Sequence, residues 1–275
     1  MFLVLRNRGL SVEDYKNKVG GVHRQVRGEC ESLLHFLETG EAWPSLEEYF
    51  SSQGMETQSA EELVTGISTS VDEIAAAKTK IDDLQGVLKK SVDELKGVRP
   101  PEKARSLHEG LLSLYKEGIG ITDEMLVAAT FLQETLSAYV ENRSFFEAAE
   151  ELGSLDSLEE ITPEEITEKM REIVRLLDNL IGRLETITPP GDLMSFHQGH
   201  LVCWKEVRGA FVDLLEALSR LDKKRMEMAE RKIESYEAKW EDLGHELERF
   251  FSAVDDRFRD YRQRIEEAGG RIDAL

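Results

Sequence analysis

The chain has 275 residues, of which 40% are hydrophobic, and its 35 Lys and Arg against 55 Asp and Glu give a net charge of −20. Such acidity argues against a nucleic-acid partner or an anionic membrane surface, because both need clustered cationic side chains. The apolar fraction is large enough for a real core. Since no apolar run reaches the roughly 18 residues of a membrane span, we expect no direct membrane insertion.

The start of the chain and its cysteines bear on the compartment. Residues 1–5 are apolar but end at Arg6 and follow no basic stretch, which is not the pattern of a signal peptide. We therefore expect a cytoplasmic protein as the sequence is written, and an extracytoplasmic one if an upstream signal has been lost. Cys30 and Cys203 are compatible with one long-range disulfide or with two buried thiols.

Apolar residues recur at three- and four-residue steps from the start of the chain, which predicts amphipathic helices. The first helix begins behind Ser11 as its N-cap and ends near Thr39. Ser59 and Glu62 form a capping box for a second helix, which must end before Pro100 because the residue before proline avoids the helical region. Its apolar stripe falls at every seventh residue: Ile67, Ile74, Ile81, Leu88 and Leu95.

A third helix restarts at Pro101, and we expect Gly118 and Gly120 to weaken its middle. The acid-rich segment 141–170 follows and is interrupted by a loop. A clear helix start comes at Thr162, which precedes a proline and two glutamates.

One stretch of the chain occurs twice, at an offset of 89 residues and without a gap. The apolar pattern of about 78–132 matches that of 167–221. Because one inserted residue would rotate the stripe by about 100°, the match predicts two related helical hairpins. The residues that define the repeated hairpin motif are Pro100, Pro101 and His108 in the first copy and Pro189, Pro190 and His197 in the second.

The last segment, 222–275, predicts one long helix that ends at Gly269 and Gly270. Bulky aromatic residues at its heptad positions favour packing against several helices over a two-stranded coiled coil. Those heptad positions are Met226, Ile233, Trp240, Leu247, Val254 and Tyr261.

Because no period-two strand pattern competes anywhere, we predict an all-α fold. The expected architecture is an elongated up-and-down bundle of five to seven long helices with two repeated Pro-Pro hairpins. The predicted segments are 1–58 (N-terminal helix and a short helical segment), 59–140 (first hairpin), 141–162 (acidic connector), 163–221 (second hairpin) and 222–275 (long heptad helix).

The two histidines of the motif lie seven residues after the second proline of each pair, at His108 and His197. We interpret them as structural. An imidazole at this position can donate to a carbonyl left unpaired where the preceding helix ends, and so hold the hairpin together. The other interpretation is a shared ligand or proton-transfer site.

His197, His200 and Cys203 are the residues of a possible metal site, since imidazole and thiolate are zinc ligands. Residues three apart drift by about 60° around a helix, so further ligands from another helix would be needed. The first copy has Leu111 and Leu114 where the second has His200 and Cys203, so such a site would be unique to one half. The soft ligands available elsewhere are His23, Cys30 and His35.

The sequence shows no phosphate-binding loop, nucleophile elbow, Cys-x-x-Cys or paired Glu-x-x-His motif. We therefore predict a non-enzymatic structural or protein-interaction module without a cofactor. It would bind a protein partner or a second copy of itself, and no nucleic acid. The alternative is a ligand- or metal-binding bundle with its site near His197, His200 and Cys203.

Two features carry a resemblance to a known class of domain. They are the Leu-rich run into Pro-Pro with histidine seven residues on, and the opening Leu10-Ser11-Val12-Glu13-Asp14-Tyr15. Both resemble uncharacterised helical domains of bacterial secreted proteins and lipoproteins, over about half of the chain. The resemblance implies an extracytoplasmic location and no catalytic activity. The sequence departs from it by lacking a signal peptide and a lipobox cysteine.

Overall fold

A computed structural model of the protein describes residues 10–39, 59–153, 162–220, 222–234 and 237–275. All regular structure in these ranges is helical, which confirms the all-α prediction, and its eight α-helices slightly exceed the five to seven expected. The helices are α1 (Val12–Thr39), α2 (Ala60–Lys96), α3 (Arg105–Glu141), α4 (Arg143–Gly153), α5 (Pro163–Glu185), α6 (Met194–Ser219), α7 (Lys223–Glu234) and α8 (Glu237–Asp273). The short helical segment predicted before residue 58, and 154–161 of the acidic connector, lie outside the described residues.

Three predicted helix starts are confirmed by side-chain caps. The N–H of Asp14 donates to Ser11 Oγ over 3.1 Å at the start of α1. Reciprocal capping boxes open α2 and α5, where Ser59 and Thr162 accept from the helix while their own N–H groups donate to a glutamate three residues later. These caps satisfy backbone donors that have no partner within the helix.

The two Pro-Pro corners have the same local structure. Each is followed by a short 3₁₀ helix, Glu102–Ala104 and Gly191–Leu193, at the 89-residue offset of the sequence match. Pro101 has φ −65° and ψ 157°, and Pro190 has φ −63° and ψ 155°. The proline carbonyl accepts from the residue three positions on, over 2.9 Å in the first corner and 3.0 Å in the second.

The C-terminal helical segment starts at the predicted residue but ends later than predicted. Asp222 Oδ1 accepts from the N–H of Arg225 at the start of α7, and residues 235 and 236, between α7 and α8, lie outside the described residues. The predicted end at Gly269 is wrong, because α8 continues to Asp273. A Cβ on Gly269 would lie 3.1 Å from Nε2 of His23, so this glycine permits close packing within the helix instead of ending it.

Contacts group the chain into two compact units built from discontinuous segments. Unit 1 comprises 1–42, 76–129 and 253–275, and unit 2 comprises 43–75 and 130–252. The five linear segments predicted from the sequence follow a different division and stay a prediction.

Unit 1 combines α1 with the adjoining parts of α2, α3 and α8. Gln85 of α2 donates to the Asp123 carboxylate of α3 over 2.6 Å, and α3 runs unbroken past Gly118. The part of the predicted α2 heptad stripe that falls in unit 1 lies in the core of this unit. Its fully buried members there are Ile81, Leu88 and Leu95.

Unit 2 contains the second Pro-Pro hairpin, formed by α5 and α6. Arg208 Nε lies 2.7 Å from Asp178 Oδ1, and Lys205 Nζ lies 2.6 Å from Glu185 Oε1. Because the residue numbers increase in opposite directions, the two helices are antiparallel. Helix α6 also packs extensively on α7, and α5 on α4.

Candidate functional site

The first motif histidine is buried against a tyrosine of α1. His108 Nδ1 lies 3.2 Å from the hydroxyl of Tyr15, and this tyrosine supplies the partner in place of the backbone carbonyl suggested by the sequence. Two carbonyls in the last turn of α2 already have local partners, since the N–H of Gly97 bonds back to Glu94 and that of Val98 to Leu95. His108 therefore fixes α3 against α1.

A second tyrosine–histidine pair lies further along the same two helices. His23 Nδ1 of α1 is 2.8 Å from the hydroxyl of Tyr115 on α3. Between the first pair and this one, the residue numbers increase on both helices, so α1 and α3 run parallel. Burial lowers the pKa of His23 and His108, while it raises the pKa of Tyr15 to about 12 and that of Tyr115 further. Both pairs are therefore neutral at neutral pH.

Helix α8 packs on His23 in unit 1, since a Cβ on its Gly269 would lie 3.1 Å from Nε2 of that histidine. The ring of Tyr261 is 1% exposed and lies against Gly118, and its hydroxyl has no hydrogen-bond partner among the described residues. Burial raises the pKa of Tyr261 far above its ordinary value and that of the Cys30 thiol to about 12. These groups keep their protons, so they do not supply a nucleophile or a general base at neutral pH.

Unit 2 holds an aromatic cluster around His200. The hydroxyl of Tyr139 and Nε2 of His200 are hydrogen-bond partners, and Trp204 Nε1 donates to the same hydroxyl over 2.9 Å. The ring of Trp240 meets those of His200 and Trp204 edge-on, with centroids 5.4 and 5.1 Å away. Complete burial, with a smaller effect of the nearby His197, lowers the pKa of His200 to about 3.

The second motif histidine has no tyrosine partner. His197 is 4% exposed, its ring meets Phe131 edge-on at 5.6 Å, and its Nδ1 has no hydrogen-bond partner among the described residues. The two motif histidines therefore share burial and position on their helices, but only His108 forms a side-chain hydrogen bond.

The residues of the metal alternative do not form a ligand set. In the described ranges no group of three or more His, Cys, Asp or Glu side chains is placed to hold a metal ion. His200 instead bonds to Tyr139, and burial raises the pKa of Cys203, which favours the thiol over the thiolate that binds zinc. The structure therefore offers no support for a site at His197, His200 and Cys203.

Both cysteines are free and buried, so we predict that native protein resists thiol reagents. Cys30 is 0% and Cys203 3% exposed, and only a thiolate attacks a disulfide reagent rapidly. In native protein, Ellman's reagent at pH 8 should label both thiols only as fast as the structure opens to expose them. In denaturant, both thiols should react at once. Labelling of one thiol within seconds in native protein would contradict the buried placement.

The tyrosine partners were missed from the sequence because no pattern links them to the histidines. Tyr15 and His108 are 93 residues apart, and Tyr139 and His200 are 61 apart. In helical periodicity a tyrosine counts as one more apolar position. The only available signal was the recurrence of His108 and His197 at one offset, and this indicated burial without naming a partner.

An incompletely covered apolar surface lies on the C-terminal half of α6. We call it the α6 apolar face, and it consists of Val207, Phe211, Leu214 and Leu218. These side chains are half-buried, whereas residues of the same helix face between Phe196 and Trp204 are buried. The matching positions on α3 are all buried, and at three of the four the residue is smaller: Gly118, Thr122 and Ala129, with Met125 at the fourth.

Comparison with known proteins leaves the function to be argued from this geometry. No protein-family model, curated protein or solved structure matches the chain. Among the described helices, none combines the length and the hydropathy needed to cross a bilayer.

Proposed function

We propose that this protein is a non-enzymatic helical module that binds another protein through the α6 apolar face. The observation that carries the proposal is the contrast between the two matching stripes. The apolar side chains of the α6 apolar face are only half-buried, whereas the residues at the α3 positions 89 residues earlier are buried. A core helix ordinarily buries its largest apolar residues first.

The spacing of the α6 apolar face supports this proposal. Its four residues follow one another at steps of four, three and four, the pattern by which a helix anchors in a partner's groove. Completing the burial of one such side chain is worth about 1 kcal/mol, so the whole face could contribute several kcal/mol to association.

The rest of the chain is consistent with an interaction role. The motif histidines, His23, His200, their tyrosine partners and both cysteines are buried, and three of these histidines bond to tyrosines. The carboxylates of the many ion pairs lie on exposed helix surfaces, where they favour solubility.

We also infer that the chain descends from a duplicated helical hairpin. The matching dihedral angles of Pro101 and Pro190, and the 3₁₀ helix behind each, support this origin. Divergence of the second copy at the α6 stripe would then have produced the binding face.

Site-specific photocrosslinking in the cells that make the protein tests the proposed function. A photoreactive phenylalanine at Leu214 or Leu218 should give one discrete protein adduct, and the same group at exposed Glu216 should not. An adduct of twice the chain mass would identify the partner as a second copy. Absence of an adduct at both leucine positions, or equal adducts at Glu216, would refute the binding face.

A charged variant separates binding from folding. Leu218→Asp should abolish the adduct formed from position 214. Because Leu218 is only half-buried, the thermal midpoint should move by no more than a few degrees. A variant that loses the adduct only because it unfolds would instead lose its helical circular-dichroism signal.

A further inference from the structure

A groove of about 180 Å³ lies between α3 and α8 in unit 1. Leu107, Leu111 and Leu114 of α3 form an apolar floor beside Gly110. The opposite side is lined by residues of α8: Arg264, Glu267, Ala268 and Arg271. The groove belongs to no feature used in the proposed function, since the α6 apolar face lies in unit 2.

The origin of the groove becomes clear when the contacts of α8 with the first hairpin are compared with its contacts with the second. Glu117 of α3 pairs with Arg264, and Glu206, which lies 89 residues later on α6, pairs with Lys239. The two partners on α8 are 25 residues apart. Two stretches of α8 therefore pack on the two hairpins in an equivalent manner.

By the offset of 89 residues, Gly199 on α6 corresponds to Gly110 on α3. By the offset of 25 residues, Leu243 on α8 corresponds to Ala268 on the same helix. A Cβ on Gly199 would lie 2.8 Å from Cδ2 of Leu243, so the leucine side chain packs directly on this glycine. A Cβ on Gly110 would meet nothing within 4 Å. The groove is thus the place that a leucine side chain fills in the second hairpin and that an alanine leaves open in the first.

The chemistry of the lining selects a ligand with an apolar body and an anionic end. A volume of this order holds a six-carbon group, since an engineered cavity of about 150 Å³ binds benzene. Arg271 is exposed and has no ion-pair partner among the described residues, so its guanidinium is available to a carboxylate. Arg264 is held by both oxygens of Glu117, at 2.5 and 2.7 Å, and Glu267 accepts from Gln263 over 3.2 Å.

We propose that this groove binds a small branched aliphatic carboxylate. Its alkyl group occupies the place of the missing leucine side chain on Gly110, and its carboxylate pairs with Arg271. The matching contact supports this assignment, because Leu243 on Gly199 shows that an isobutyl group fits such a surface. A leucine side chain from a partner protein is the competing occupant, and the test distinguishes the two.

The test titrates the full chain with 4-methylpentanoate and with the neutral 4-methylpentan-1-ol, followed by amide NMR shifts. The carboxylate should saturate with a Kd of about 1 mM, a strength reasonable for eight non-hydrogen atoms, and shift residues of α3 and α8. The alcohol should bind at least fivefold more weakly. No saturation by 4-methylpentanoate at 20 mM, roughly twentyfold above the expected Kd, would overturn the proposal.

Two variants locate the site. Ala268→Leu introduces the side chain that packs on Gly199 of the second hairpin, and it should raise the thermal midpoint and weaken carboxylate binding at least tenfold. Gly110→Val fills the groove from the other helix if the first variant folds poorly.

Arg271→Gln should weaken binding of the carboxylate about fivefold and leave binding of the alcohol unchanged. Undiminished binding by Ala268→Leu, or binding only of a leucine-containing acidic peptide, would refute the small-molecule site without affecting the α6 apolar face.

Discussion

Gly118→Ala should destabilise the protein by about 3 kcal/mol, whereas Gly110→Ala on the same helix should stabilise it by about 1 kcal/mol. A Cβ on Gly118 would lie 2.2 Å from the hydroxyl oxygen of Tyr261, 2.4 Å from its Cζ and 3.0 Å from Cδ1 of Leu88. Tyr261 is 1% exposed, so its ring cannot move aside without displacing the core of unit 1. Gly110 has open space, and alanine there gains only the helix propensity that glycine lacks.

Urea unfolding of the two variants, followed by helical circular dichroism, measures both effects. The pair is a matched control, because each variant adds one methyl group to the same helix. Opposite signs are the expected result. Destabilisation of similar size in both variants would mean that α8 does not press on α3 at Gly118.

Acidification below pH 6.5 should destabilise the protein before its carboxylates titrate. Burial lowers the pKa of four histidines in the folded state, and that of His200 falls to about 3. As the pH falls, the histidines of the unfolded chain bind protons before those of the folded chain do. The contribution of the neutral histidines to the free energy of unfolding is therefore complete above pH 6.5 and is lost as the pH falls below it. For the fully buried His200, the loss between pH 6.5 and pH 5 is about 2 kcal/mol.

His200→Leu isolates this contribution. The matching residue of the first hairpin is Leu111, and Trp204 keeps its hydrogen bond to the Tyr139 hydroxyl when the imidazole is removed. The slope of unfolding free energy against pH should become shallower by about 1.4 kcal/mol per unit between pH 6.5 and 5. An unchanged slope in urea unfolding at several pH values would show that His200 is already solvated.

Local features were predictable because their causes lie within a few residues. The caps at Ser11, Ser59 and Thr162 need only a hydroxyl and the first turn of a helix, and the structure confirms each. The corners at Pro101 and Pro190 need only the restricted backbone of two successive prolines.

Features that depend on a neighbouring helix were not predictable. Gly269 has the sequence signature of a helix end, but it is an interior residue of α8 because His23 packs on it. Gly118 likewise signals a weak point in α3, yet it accommodates Tyr261 in an unbroken helix. A glycine is ambiguous in the sequence, since both a flexible backbone and a close contact require the absence of a side chain.

The sequence by itself determined that the protein is helical, where most helices begin, and that one hairpin corner is used twice. Hydrophobic periodicity and capping act over a few residues, so they can be read without the fold. Only the tertiary structure decided that His108 pairs with Tyr15, that the α6 apolar face is half-covered and that Ala268 leaves a groove. These outcomes depend on which side chain of a distant helix arrives opposite each position, and periodicity carries no information about that partner.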